Sequence, residues 1–578
     1  MNGTTTRDSL KVWGASAALA ALFFVGVAVW QGSHVIERLM GPLTVEQILF
    51  HLLTPIEGVS GQLAMLQRQF LGGRAILSLA FLLWCGGAFA WLSARGRGWR
   101  RAALWLALAA LSAYALSFFR LYRDSLAIGV TLAALWLLEP LGDALGQRLG
   151  PWWTWYRRQG GRLYVAFLVV MVTLIGMVMR VERRHGLWDY LSNRFRPSEM
   201  LDRQYVEASE ATYAMPGAKR NLVLVVSESL ERTYGDRTLF GEDLIPELTR
   251  LAAAHPGFRG QIEVNGTDNT ISAITAMLYG VPRLLVGREG WHNQVWGNMF
   301  SGSTSILHVL HRHGYRFVHL QGGSARFADT AALYEDFPDD IHVIDFDDLR
   351  HDPDYRRLEA AGQHYDWGVN DRILLKHARR QYGRLVADGR PFVMVISTID
   401  THYDGYVEGQ RTEANQMKTD YVACVRTQSR LLGEFADWLE RQPSASETVL
   451  AIIGDHYVMR NYVGATRMWL LTNGTTVPAA AGKPPQRTVF SCLVNDAPPS
   501  APPSRERLFA SFDWAPTLLE AVGVRWPSRR FGVGVSLYSG EPTLLERVGG
   551  ATYERESRRV SAVYRRLVER AQRAHRQP

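Results

Sequence analysis

Long uncharged apolar runs in the first third of the chain constrain the fold more than any other feature. Val12 to Trp30 holds no charged residue, and about 20 helical residues at ~1.5 Å rise span a ~30 Å hydrocarbon core. No small-residue cleavage site directly follows, so this run reads as an anchor and not as a removable leader. Ala75 to Leu92, Ala102 to Phe119 and Leu163 to Met179 are comparable, and Leu126 to Leu138 is a shorter candidate. Thr44 to Phe70, with Pro55, Glu57 and Gln67, reads as interfacial or re-entrant helices, or as a surface helix pair.

Arginine sets the orientation. Arg95, Arg97, Arg100 and Arg101 lie in one loop, and Arg148, Arg157, Arg158 and Arg162 in another. Both face the cytoplasm under the positive-inside rule only if Leu126 to Leu138 also crosses. Five spans then put everything after Met179 outside, although Arg180, Arg183 and Arg184 pull mildly the other way. Trp152, Trp153, Trp155 and Tyr156 form an expected interfacial belt. The net charge of +9 is dispersed and accompanies the apolar runs, which points to anionic phospholipid and away from nucleic acid. Cys85 lies in an apolar run, leaving Cys424 and Cys492 as a possible bridge or two free thiols.

The rest of the chain reads as a soluble α/β domain with a largely parallel central sheet. Lys219 to Ser227 has the continuous apolar character of a strand buried on both faces. Ser305 to His313 reads as a helix stopped at Gly314, and Tyr315 to Leu320 as the next strand. Pro391 to Ser397 and Thr448 to Ile453 read as two more. Ligands in such sheets bind beyond the carboxyl ends of the strands. There stand Ser227-Glu228-Ser229, Gln321-Gly322-Gly323 with Arg326, Asp400-Thr401-His402 and Gly454-Asp455-His456. Any one of these has an ordinary structural reading, such as Glu228 at a helix start. Together they form a constellation of carboxylate, imidazole and guanidinium groups at one edge.

The string Ser227-Glu228-Ser229-Leu230-Glu231-Arg232-Thr233-Tyr234 resembles the glucan phosphoglycerol transferases. These are relatives of lipoteichoic acid synthases and lipid A phosphoethanolamine transferases in the alkaline phosphatase–sulfatase superfamily. Further matches follow in order: Gly266-Thr267-Asp268-Asn269-Thr270-Ile271, Gln321-Gly322-Gly323 with Arg326-Phe327-Ala328, Asp352-Pro353-Asp354-Tyr355 with Asp366-Trp367-Gly368, Asp400-Thr401-His402 and Gly454-Asp455-His456. The likeness runs from about Arg220 to Gly540. It implies that Glu228, Thr270, Asp455 and His456 bind a catalytic metal, and that Thr270 is the nucleophile. It also implies that His402 serves the substrate, that Arg326 lies in a phosphate-contacting segment, and that Trp367 is the best candidate to stack on sugar. Asp513-Trp514-Ala515-Pro516-Thr517 matches a late segment read as structural.

Threonine is almost wholly protonated at neutral pH, so the implied nucleophile needs activation, which a cation can supply. Three oxygen ligands and one imidazole suit Mn²⁺ or Mg²⁺, with Zn²⁺ admissible; Mn²⁺ is favoured because lipoteichoic acid synthases use it. The expected reaction moves phosphoglycerol from phosphatidylglycerol to a periplasmic glucan through a phospho-threonine, releasing diacylglycerol. His402 either shuttles the proton or hydrogen-bonds the headgroup. The expected layout is a transmembrane domain at 1–185, a linker at 186–218, a periplasmic catalytic domain at 219–545 and a basic tail or helix at 546–578, in a bacterial inner membrane. Rival readings are phosphoethanolamine transfer, sulfatase or phosphodiesterase hydrolysis, and a dead scaffold. Ala501-Pro502-Pro503-Ser504-Arg505 mimics the tail of a sulfatase signature but lacks its Cys or Ser head, and reads as a linker. Trp291 and Trp296 read as sugar-stacking or core residues. Thr267 competes with Thr270 by residue type alone.

Overall fold

The computed structural model describes residues 44–45, 175, 178–179, 182–284, 299–337, 341–365, 367–402, 405–408, 421–458, 487–498 and 500–574. The five expected spans, the Trp152–Tyr156 belt, Cys85, Trp291 and Trp296 lie outside these residues, apart from isolated positions. The expected Thr44–Phe70 helices do so as well. Among the described residues no helix is long and apolar enough to cross a membrane. The described residues from Leu187 onward belong to one compact unit.

Ten strands lie among the described residues of that unit: β1 (Asn221–Ser227), β2 (Arg259–Gln261), β3 (Arg316–Gln321), β4 (Ile341–Ile344), β5 (Phe392–Ser397), β6 (Thr448–Gly454), β7 (Ser491–Val494), β8 (Glu506–Phe509), β9 (Arg530–Phe531) and β10 (Gly534–Val535). Six form the main sheet in the order β4-β3-β5-β1-β6-β7. All its pairings are parallel except β6 with β7. Every residue of β1 is buried, because both faces are covered. Leu222, Leu224 and Val226 enter one apolar layer, and Val223 and Val225 the other. Helices α1 (Leu187–Asn193), α2 (Thr270–Tyr279), α3 (Ile306–His311), α4 (Asp371–Asp388), α5 (Tyr421–Glu440) and α6 (Ala562–Ala574) supply much of the cover. α2, α3 and α6 pack in the first layer and α4 and α5 in the second.

The expected strands and the Ser305 helix are present within two residues of their ends. Ser305 caps α3 through a reciprocal capping box with His308. Cys424 and Cys492 are buried and form no disulfide. Edge strands β4 and β7 were not foreseen, since four residues carry too little periodicity to distinguish them from loop. The segment 546–578, expected as a basic tail or helix, is helical at Gly550–Glu556 and Ala562–Ala574, and Tyr553, Tyr564 and Leu567 sit in the first core layer. Its many arginines mask an apolar stripe at Val563, Leu567 and Ala571, which α6 buries.

Candidate active site

Parallel register assembles the site. Ser227 lies level with Gly454 across β1 and β6, and Val226 with Ser397 across β1 and β5. Glu228 therefore leaves the sheet between Thr398 and Asp455, and hydrogen bonds lock it there. Thr398 Oγ1 accepts the Glu228 N–H at 2.9 Å, and Asp455 Oδ1 accepts the Ser229 N–H at 2.8 Å. The Glu228 carbonyl takes bonds from Thr401 Oγ1 at 2.6 Å and from Gln428 Nε2 at 2.9 Å. Ser229 sits at φ 50°, an unusual conformation for a residue with a side chain. Its hydroxyl donates to Glu228 Oε1 at 2.7 Å. Gly454 is required by close approach: a Cβ there would stand 2.1 Å from the Leu230 carbonyl oxygen.

Thr270 is the first residue of α2, and Asn269 caps the helix by accepting the Ser272 N–H at 3.0 Å. Its Oγ1 lies 3.1 Å from Glu228 Oε2 and 3.4 Å from His456 Nε2. The helix start also favours negative charge at this point. Thr267 is no competitor, being fully buried with its hydroxyl donated to the Val264 carbonyl at 2.9 Å.

Glu228, Asp455 and His456 offer ligand atoms that all lie within 4.8 Å of one another. His456 Nε2 is 3.5 Å from Glu228 Oε1 and 3.4 Å from Asp455 Oδ2. Asp455 Oδ2 is buried without a hydrogen-bond partner among the described residues, an expensive state that a cation would relieve. The donor set thus fits a divalent ion. Burial pushes the Asp455 carboxyl up to about 6 against the pull of His456. For His456, burial alone would lower the imidazole, but Asp455, Glu228 and Glu263 outweigh it and raise it to about 9. Without a cation, a proton on His456 balances the buried carboxylates.

The shell behind His456 was not foreseen from sequence. His456 Nδ1 lies 2.8 Å from the Tyr457 carbonyl, which accepts its proton and leaves Nε2 free to ligate. Half-buried Glu263 and buried Glu231 hold that carbonyl in place by taking consecutive amides. Glu263 accepts the Tyr457 N–H at 2.6 Å, and Glu231 the Val458 N–H at 3.0 Å. Arg487 pairs with Glu231 and lies 4.4 Å over the Tyr457 ring. Glu231 stands in the matched string, whereas an isolated Glu263 gives no sequence signal. Glu263→Ala should weaken divalent-cation binding by roughly 10-fold or more in calorimetric titration. Glu263→Gln, which keeps an acceptor for Tyr457, should lose less.

His402 interacts electrostatically with His456 and Asp455, and the structure gives the other two expected site residues, Trp367 and Arg326, further partners among the described residues. Burial, then the charge of His456, press the His402 imidazole down to about 3, with Asp455 opposing. It is therefore a neutral ring at physiological pH. Trp367 is 9% exposed and packs edge-on against His402 at 4.0 Å between centroids and against Phe327 at 5.5 Å. In this position it packs beside His402. Arg326 is largely exposed and donates to Asp347 Oδ2 at 2.8 Å. Among the described residues no contact links it to Thr270, because the acidic turn after β4 captures it first. Asp513 is structural, accepting the Ala510 and Val535 amides.

The sulfatase family profile matches residues 220–524. Phosphoglycerol transferase I of Salmonella heidelberg (strain SL476) is 27% identical over 346 residues, which cover 58% of this chain and 42% of that protein. The chain thus spans well under half the length of the curated relatives it matches. Among solved structures, a protein in the alkaline phosphatase superfamily from Vibrio parahaemolyticus is 18% identical with a TM-score of 0.43, covering 59% of this chain and 78% of that one. The lipoteichoic acid synthase LtaP from Listeria monocytogenes is 12% identical with a TM-score of 0.42, covering 64% and 97%. With more than half of its residues matched by one family profile, the chain belongs to the sulfatase family.

Proposed function

We propose that the chain is a membrane-anchored phosphotransferase that moves phosphoglycerol from phosphatidylglycerol to a periplasmic glucan. The observation that carries this reading is the Thr270 hydroxyl at the helix start, beside Glu228 and His456. The name of the curated relatives, phosphoglycerol transferase I, supports the transferred group. The apolar runs before Met179 support an inner-membrane anchor near a lipid donor. The proposed layout keeps 1–185 as the membrane part and 186–218 as the linker, and extends the catalytic domain of 219–545 through the helices after Glu541.

Glu228, Thr270, Asp455 and His456 would hold the cation, with Mn²⁺ preferred and Mg²⁺ or Zn²⁺ admissible. Bound there, the ion would lower the pKa of the Thr270 hydroxyl and offset charge on the phosphoryl oxygens. Thr270 Oγ1 would attack phosphorus as the bond to the diacylglycerol oxygen breaks, with the Thr270 proton relayed through the neutral His402 ring to that departing oxygen, leaving phosphoglycerol on Thr270. In the second half His402 would take the proton of an incoming sugar hydroxyl, which displaces Thr270, and return it to the Thr270 oxygen. Hydrogen bonding to the headgroup is its alternative role. Arg326 would reach the phosphoryl group only by exchanging Asp347 for phosphate, a modest demand on an exposed pair.

The rival that shares this machinery transfers phosphoethanolamine. Purified protein with Mn²⁺ should release diacylglycerol from phosphatidylglycerol and label an added β-glucan with phosphoglycerol. Release from phosphatidylethanolamine alone would transfer the assignment to that rival. Release without any labelled acceptor would make the enzyme a hydrolase.

A further inference from the structure

Large apolar side chains that remain exposed are concentrated in one stretch. Among the described residues they are Ile175, Val178, Met179, Trp188, Leu191 and Phe195, with Val386 alone elsewhere. The last three of the stretch belong to α1 and the turn that follows it. Trp188 is 70% exposed, Leu191 42% and Phe195 82%. Within the helix Trp188 and Leu191, three apart, share one side, while Tyr190 and Asn193 are buried on the other, and Phe195 follows in the turn. A short helix with one face on the protein and a Trp-Leu-Phe face in water is costly unless something covers that face.

The sequence around it indicates what does. The uncharged run Leu163 to Met179 ends just upstream, and the backbone turns at Gly186, at φ 66°. In sequence, Arg183, Arg184, Arg194 and Arg196 flank α1, against Glu182 and Asp189, and Arg194 also lies 5.2 Å over the Tyr190 ring. Aromatic residues beside arginines, directly after an apolar run, match the chemistry of a bilayer interface, where amphipathic rings sit at headgroup level and cations meet anionic lipid.

We propose that α1 and Phe195 lie in the membrane–water interface, with Trp188, Leu191 and Phe195 inserted and the four arginines among anionic headgroups. This rests on the membrane-anchored reading and deepens it, because the helix would moor the catalytic domain to the leaflet that supplies the lipid donor. The chain directly after α1 is tied to that domain, with Arg196 O accepting the Val560 N–H and Val560 O accepting the Ser198 N–H, so the depth of α1 helps to set how the domain meets the lipid surface.

The test uses the full chain in nanodiscs containing phosphatidylglycerol. A nitroxide is placed at Phe195→Cys, and separately at Leu191→Cys, in a Cys85→Ala background; Cys424 and Cys492 are buried. Both labels should relax several-fold more with molecular oxygen than with the polar nickel–EDDA complex, the pattern of a site immersed in lipid. Stronger relaxation by nickel–EDDA would place the face in water and overturn the proposal. Protection from both reagents would mean that protein covers it, such as a second copy, and would overturn it too. The readout is independent of turnover, so failure of the donor assignment leaves it standing and is told apart from it.

Discussion

Thr270→Ala should lower diacylglycerol release from phosphatidylglycerol by at least ~10³-fold, the scale of losing a covalent nucleophile, with little change in melting temperature. The size of the effect follows from the absence of a substitute. Thr267, the nearest hydroxyl in sequence, is buried and bonded to the Val264 carbonyl. Ser229 spends its proton on Glu228 Oε1. The fold should tolerate the change because Asn269, not Thr270, caps α2, and alanine is the best helix former. Thr270→Ser keeps the hydroxyl and should retain much of the activity. A Thr270→Ala protein that turns over normally would remove Thr270 from the reaction.

Asp455→Asn should cost the protein at least ~10²-fold in Mn²⁺ affinity and most of its activity, while keeping the fold. Asparagine can still accept the Ser229 and His456 amides at the Oδ1 position. What it removes is the negative charge and the unpartnered Oδ2. The same site predicts a pH dependence. Asp455 is raised to about 6 and His456 to about 9, and a ligand must lose its proton to bind a cation. Mn²⁺ affinity should therefore climb from about pH 6 to about pH 9 and then level off.

The stability of the cation-free protein should move in the opposite sense. His456 has a folded pKa above the ordinary ~6.5 of histidine. Its stabilisation is thus complete below that value and lost as pH rises to about 9. Asp455 adds to the loss between its ordinary ~3.9 and about 6, since its proton is favoured in the folded state. The upward shift in melting temperature on adding Mn²⁺ should accordingly be larger at pH 9 than at pH 6. In Asp455→Asn the difference should shrink. A pH-independent shift would contradict ligation through His456.

The site was legible in sequence where short strings carry chemistry at strand ends. Glu228, Thr270, Asp455 and His456 converge, and His402 sits beside them, because β5, β1 and β6 are neighbours in the sheet. That adjacency itself was not readable, since hydrophobic runs announce strands but not their order. Arg326 and Trp367 show the same limit from the other side. Each stands in a matching string, yet Asp347 takes the guanidinium and His402 takes the indole edge. Glu263 was invisible because its importance lies in a backbone amide of Tyr457, a partner that sequence does not advertise. The C-terminal segment misled through composition: arginines dominate it, while every third or fourth residue is core.

The most direct test of the account is intact-protein and peptide mass spectrometry after incubation with phosphatidylglycerol and Mn²⁺ in the absence of an acceptor. A phosphoglycerol adduct should accumulate on the peptide containing Thr270 and disappear when glucan is added. An adduct on another residue, or diacylglycerol release with no adduct at any time point, would contradict a threonine-borne intermediate.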